Sequence, residues 1–166
     1  GIKLNNCRIP ASAILGENDS AYANIVIPFS DAENTVLMGA VTGGMGAELM
    51  DLIMESDKRN IHKDKALQSE VGALDSLLET MRAIVRETAK KVDERDNAAV
   101  PLIVTFKELA AGFQARIAAA IAKWDIKTPD RFKVLQTDIN VLGALQEKTL
   151  QDKQAKLGDE LLHGAR

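Results

Sequence analysis

The sequence predicts an all-α fold, an up-down-up-down four-helix bundle preceded by a short strand and loop. Three observations lead there. Apolar residues recur at steps of three and four over four long stretches, short polar or Pro-containing links separate them, and no repeat or low-complexity tract competes. At 166 residues, with 46% hydrophobic and 4% aromatic residues, the chain is long enough for one core and short for two.

The elements follow in order. Residues 1–28 read as a strand end and linker, with Ile2, Leu4, Cys7 and Ile9 alternating before a Pro-Ala-Ser turn and Ile14-Leu15-Gly16. The spacing predicts a first helix from Ser30, which caps it while Glu33 reaches back to the Ser30 amide, a capping box with Pro28 just outside. Along it Val36, Gly39, Ala40, Gly43, Ala47, Met50 and Met54 share one face of small and large apolar groups. Each mid-helix glycine costs about 1 kcal/mol relative to alanine. Gly39, Gly43, Gly44 and Gly46 therefore call for a compensating close approach, by another helix or by a flat ligand.

A second helix runs from Asp64 to about Arg95, with Leu67, Val71, Leu74, Leu78, Met81, Val85 and Val92 facing inward. Asn97 or Pro101 opens the third, which carries Val104, Phe106, Ala110, Phe113, Ile117, Ile121 and a core-edge Trp124. Thr128 as N-cap and Pro129 at the first helical position start the fourth, with Leu135, Ile139, Leu142 and Leu145 inside. The bundle spans 29–157, and 158–166 read as a fraying tail.

Composition excludes several classes. The net charge of −3, with both signs interspersed, lacks the clustered Lys and Arg of a nucleic-acid footprint. The lone cysteine, Cys7, forms no internal disulfide and reads as structural in a reducing cytoplasm. His62 and His163 lie far apart, and the chain does not supply the two Glu-x-x-His pairs of a di-iron bundle, so no metal is expected. No signal peptide is apparent, and Gly, Asp or Glu breaks the apolar runs short of the ~20 residues of a membrane span.

Two stretches together, "LNNCRIPASAILGEN" and "FSDAENTVLMGAVTGGMGAELMDLIMESDKR", resemble the acyl-CoA dehydrogenases where their middle β-domain joins the C-terminal helical domain. Ile9-Pro10 stands for the family's Val-Pro-like step and Leu15-Gly16 for its Leu-Gly, so the opening reads as the remnant of a β-domain. Gly43 matches the family's small-residue patch. Arg59 matches the arginine that in the family reaches the FAD of a neighbouring subunit, and Gln68 matches a glutamine at the start of the next helix. The resemblance makes Glu33 the candidate base, as in the isovaleryl- and long-chain members, with Asn34 where the family has Arg.

Three family features are absent. "NIHKDKAL" lacks the Phe-Gly step, "KWDIKTP" replaces the Gln-x-x-Gly-Gly turn after Lys107, and no Tyr-Glu-Gly step follows Asp130. The resemblance implies α,β-dehydrogenation of an acyl-CoA thioester with FAD as hydride acceptor in the full-length protein, a homo-oligomer (dimer or tetramer), and an electron-acceptor flavoprotein. It also implies that the isolated chain binds FAD weakly or not at all. The alternatives are a helical assembly module without flavin chemistry and a flavin monooxygenase of the same fold. Glu33 as a capping residue and Arg59 as a C-terminal helix charge are the readings that need no chemistry.

Overall fold

The computed structural model describes residues 3, 5–8, 10–13, 22–96 and 98–164, without the side chains of 22–23 and 141–150. Among the described residues the protein is all-α, with no strand. Of the expected opening strand, Ile2, Leu4, Ile9, Ile14, Leu15 and Gly16 lie outside the described residues, as does Asn97. The described part of that stretch holds only a 3-10 turn, Ala11–Ala13.

Four long helices follow: α1 (Ile27–Lys58), α2 (Lys65–Asp93), α3 (Ala99–Lys123) and α4 (Asp130–Leu162). The start of α1 corrects the capping-box expectation. The helix grows out of a π-helical turn, Tyr22–Val26, and takes Pro28 into its first turn, where the missing N–H breaks no bond. Ser30 and Glu33 thus lie inside the helix, and no side chain caps it. α2 begins as its sequence suggests, the Asp64 carboxylate accepting from the amides of Ala66 and Leu67 at 2.8 and 3.1 Å. α4 begins one residue later than expected, with Pro129 rather than Thr128 at the cap, and continues to Leu162, well into the stretch read as tail.

α1, α2 and α3 end alike. Asn60, Arg95 and Asp125 adopt φ of 57°, 55° and 49°. The next amide in each case reaches back five residues, from Ile61 to Ser56, Asp96 to Lys91 and Ile126 to Ile121. These are Schellman endings made without glycine, and they turn the chain sharply enough for neighbouring helices to run in alternating directions.

Among the described residues the core is built mainly by three helices, while Leu142 and Leu145, expected inside, lie outside the described side chains. Met45, Leu49 and Leu52 of α1 meet Leu74, Leu78 and Met81 of α2, and Ile103, Phe106, Phe113 and Ile117 of α3. α4 lies against α1 and α3. Among the described side chains of α4 none is buried, and Phe132 and Ile139 only lean on the rim of the core. Ion pairs fix its direction. Arg131 near its start grips Asp51 with two N–H groups, and Lys153 near its end pairs with Asp31.

The face of α1 picked out by spacing is not the buried one. Asn34, Met38, Thr42, Met45, Leu49, Leu52 and Ser56 point inward. Val36, Ala40, Gly43, Ala47, Met50 and Met54 form an exposed apolar strip on the opposite side. Two apolar faces make α1, within Asn24–Lys58, long and apolar enough by length and composition to cross a membrane, a test that core helices also pass. Glu48 and Asp51 face the protein interior from its middle.

Candidate functional site

The resemblance singled out three residues, and the structure separates them into two places. Glu33 stands on the outer strip of α1, exposed, between Phe29 and Val36, without a hydrogen-bond partner among the described residues. Asn34 is 7% exposed and faces inward, so an arginine there would press a charge against the core. A carboxylate that takes a proton alpha to a thioester works in a dry pocket. As the chain stands, Glu33 is in water.

Arg59 and Gln68 sit at the other end, where α1 passes into α2. Arg59 Nη1 donates to the carbonyl of Trp124 at 2.9 Å and to that of Asp125, tying the end of α1 to the end of α3. Gln68 donates to the carbonyl of His62 at 2.9 Å and accepts from Lys65 at 3.1 Å. Beside it an open hollow of about 380 Å³ lies between α1 and α2, lined by Ile53, Ser56, His62, Leu67, Gln68 and Val71. These residues do not fit a flavin as they stand, because the polar groups assigned to FAD are already engaged within the chain. Trp124 is half-buried, with its indole N–H donating to Asp64 at 3.2 Å. It anchors the edge of the core, as its place in the α3 stripe suggests.

Gly39 and Gly43 also differ from expectation. An added Cβ would meet nothing within 4 Å at either position, so neither marks a close helix contact. The close contacts are at Gly44, where a Cβ would lie 2.6 Å from Leu135 of α4, and at Gly46, where it would lie 3.2 Å from Arg82 of α2. No group of three or more metal-ligating side chains occurs among the described residues.

The most perturbed ionisable group is one that sequence reasoning missed. Glu48 is 2% exposed. One carboxylate oxygen accepts from Gln114 Nε2 of α3 at 2.7 Å, Gln114 in turn accepts from Gln136 of α4, and the other oxygen is buried with no partner among the described residues. Burial raises its pKa from 4.5 to about 7, against the lowering effect of the Gln114 hydrogen bond and with a further push from Asp51. Glu48 and Asp51 line a narrow cleft of about 180 Å³, counting its mouth, closed by Ile126, Lys127, Pro129 and Phe132. The available signal was position: Glu48 stands between Met45 and Leu52 on the core stripe of α1, where a carboxylate is out of place.

Comparison with family models, with curated proteins and with solved structures gave no match to this chain.

Proposed function

We propose that the four helices form an up-down-up-down four-helix bundle serving as the C-terminal helical domain of an acyl-CoA dehydrogenase-like flavoprotein. Support for the bundle comes from the neighbours of α4, which among the described residues meets α1 and α3 but not α2. The alternating helix directions agree with it.

The observation that carries the functional reading is the outer strip of α1. It is apolar and exposed from Val26 to Met54, and Glu33 is its single charge. A strip of this kind gains from being covered, since each Å² of apolar surface removed from water contributes about 25 cal/mol. In this reading the rest of the protein covers the strip and dries Glu33 beside an acyl-CoA thioester, whose α proton the carboxylate takes. FAD is held mainly by parts of the protein beyond this chain, and the domain adds contacts within a dimer or tetramer. The resemblance in the first seventy residues supports the assignment.

The test is the natural gene product, recovered through a C-terminal tag. A yellow product that reduces a dye on addition of acyl-CoA, with activity reduced about 100-fold or more in Glu33→Gln, is expected. A colourless product without acyl-CoA-dependent reduction refutes the reading. So does a yellow, active product in which Glu33→Gln turns over as the parent does.

A second reading is favoured by Arg59 and Gln68, both spent on internal hydrogen bonds. The chain is then a helical assembly module without flavin chemistry. A colourless product that self-associates through the α1 strip supports that alternative, and a strict monomer in sedimentation at high concentration counts against it.

A further inference from the structure

We propose that Glu48 is a proton-operated latch for α4: the helix and the link before it stay docked while Glu48 is protonated and loosen when it ionises. This goes beyond the dehydrogenase reading and does not depend on it. The geometry that carries it is a polar relay across three helices, from Glu48 on α1 through Gln114 on α3 to Gln136 on α4, ending at a buried carboxylate oxygen with no donor.

A protonated Glu48 is neutral, and its O–H, buried without an acceptor among the described residues, costs less than a buried charge would. An ionised Glu48 is a buried charge with one hydrogen bond, and the charge requires water or a second donor. Among the described residues none donates to the second oxygen, and the Thr128 hydroxyl, which lines the same cleft, makes no bond to it. Asp51, one turn along α1, is of like charge and is occupied with Arg131 of α4. α3 offers the neutral Gln114 between Phe113 and Ile117. Lys127 of the α3–α4 link lines the same cleft but is exposed, with its ammonium free to stay in water.

The element that yields is the start of α4, residues 130–140, none of whose side chains is buried. Among the described residues the fully buried large side chains all belong to α1, α2 and α3. Release of residues 127–136 would open the cleft between Ile126 and Phe132 and let water reach the orphaned oxygen. Opening of a weakly packed segment below the cost of global unfolding is ordinary behaviour for such an element.

The direction follows from linkage. The docked state keeps its proton up to about pH 7, and a solvated Glu48 loses it near 4.5. Docking is therefore strongest in acid, weakens as pH rises from 4.5 to 7, and is weakest above 7, by at most about 300-fold.

Hydrogen–deuterium exchange of the whole chain, corrected for intrinsic rates, tests this at pH 5 and pH 8. Peptides from 127–140 are expected to lose at least tenfold protection at pH 8 and to stay less protected at both pH values than the middle of α2, whose exchange reports global unfolding. In Glu48→Gln, which keeps the shape and adds a donor, protection of 127–140 becomes independent of pH. A wild-type chain whose 127–140 protection is unchanged between the two pH values overturns the latch, and needs no variant to do so. Protection of 127–140 equal to that of the middle of α2, which would mean that α4 opens only with the whole fold, or a pH response that survives in Glu48→Gln, overturns it as well.

Discussion

Replacing Gly39 and Gly43 by alanine, singly and together, isolates what these glycines do. Each lies in the interior of α1, where glycine costs about 0.8–1.0 kcal/mol relative to alanine through lost backbone freedom. The added methyl would meet no atom within 4 Å at either site, so nothing offsets the gain in this chain. Each effect is a backbone-propensity term with no side-chain partner, so the two together should give about 1.6–2 kcal/mol. For a chain of this length each kcal/mol moves Tm by about 2–4 °C, which makes the double variant about 4–8 °C more stable in a circular-dichroism melt. Gly44→Ala is the internal control. There the methyl would lie 2.6 Å from the end of the Leu135 side chain, and displacing it from α1 should cancel the propensity gain. A double variant no more stable than the parent would refute the claim that the strip is open. If the strip is covered in the natural product, the same substitutions should stabilise the isolated chain while weakening the assembled protein.

Three further outcomes follow from particular residues. Stability to urea should fall by about 2.5 kcal/mol between pH 5 and pH 8, because the folded state binds the Glu48 proton more tightly than the unfolded chain, and Glu48→Gln should flatten that slope. Thr88 is fully buried on α2 with its hydroxyl unpartnered among the described residues, so Thr88→Val should raise stability by about 1–2 kcal/mol in urea melts, and a loss would mean that the hydroxyl has a partner. Arg95 ends α2 in a left-handed conformation at φ 55°, and Arg95→Gly should gain about 0.5–1 kcal/mol by thermal melt.

The helices were legible where one physical signal acted alone. α2 has a single apolar stripe and a capping aspartate, and both its start and its face agree with the sequence. α1 was harder because it is apolar on two sides. Steps of three and four through Val36, Gly43, Met50 and Met54 trace a real stripe, but the competing stripe through Met38, Met45, Leu49 and Leu52 has more bulk and takes the core. Pro28 misled in another way: a proline is as comfortable in the first helical turn as before it, so Ser30 looked like a cap. Glu48 was passed over because a glutamate in mid-helix usually faces water, and only the residues three before and four after it argue otherwise. Arg59 and Gln68 stand near one another, as two positions flanking one short link must, yet their hydrogen bonds to Trp124, Asp125 and His62 depend on tertiary placement that no local pattern encodes.

The two-faced character of α1 also distributes its sulfur. Met38 and Met45 are sealed in the interior, with Met81 of α2 beside them, whereas Met50 and Met54 are about half exposed, at 54% and 51%. A dilute peroxide therefore meets two classes of thioether on a single helix. The outer pair should convert to sulfoxide quickly, and the inner ones only when the fold opens. Read residue by residue in a mass spectrometer, oxidation of Met45 becomes a clock for unfolding. Sparing of Met50 and Met54 in the natural product becomes a footprint of whatever surface lies across the helix.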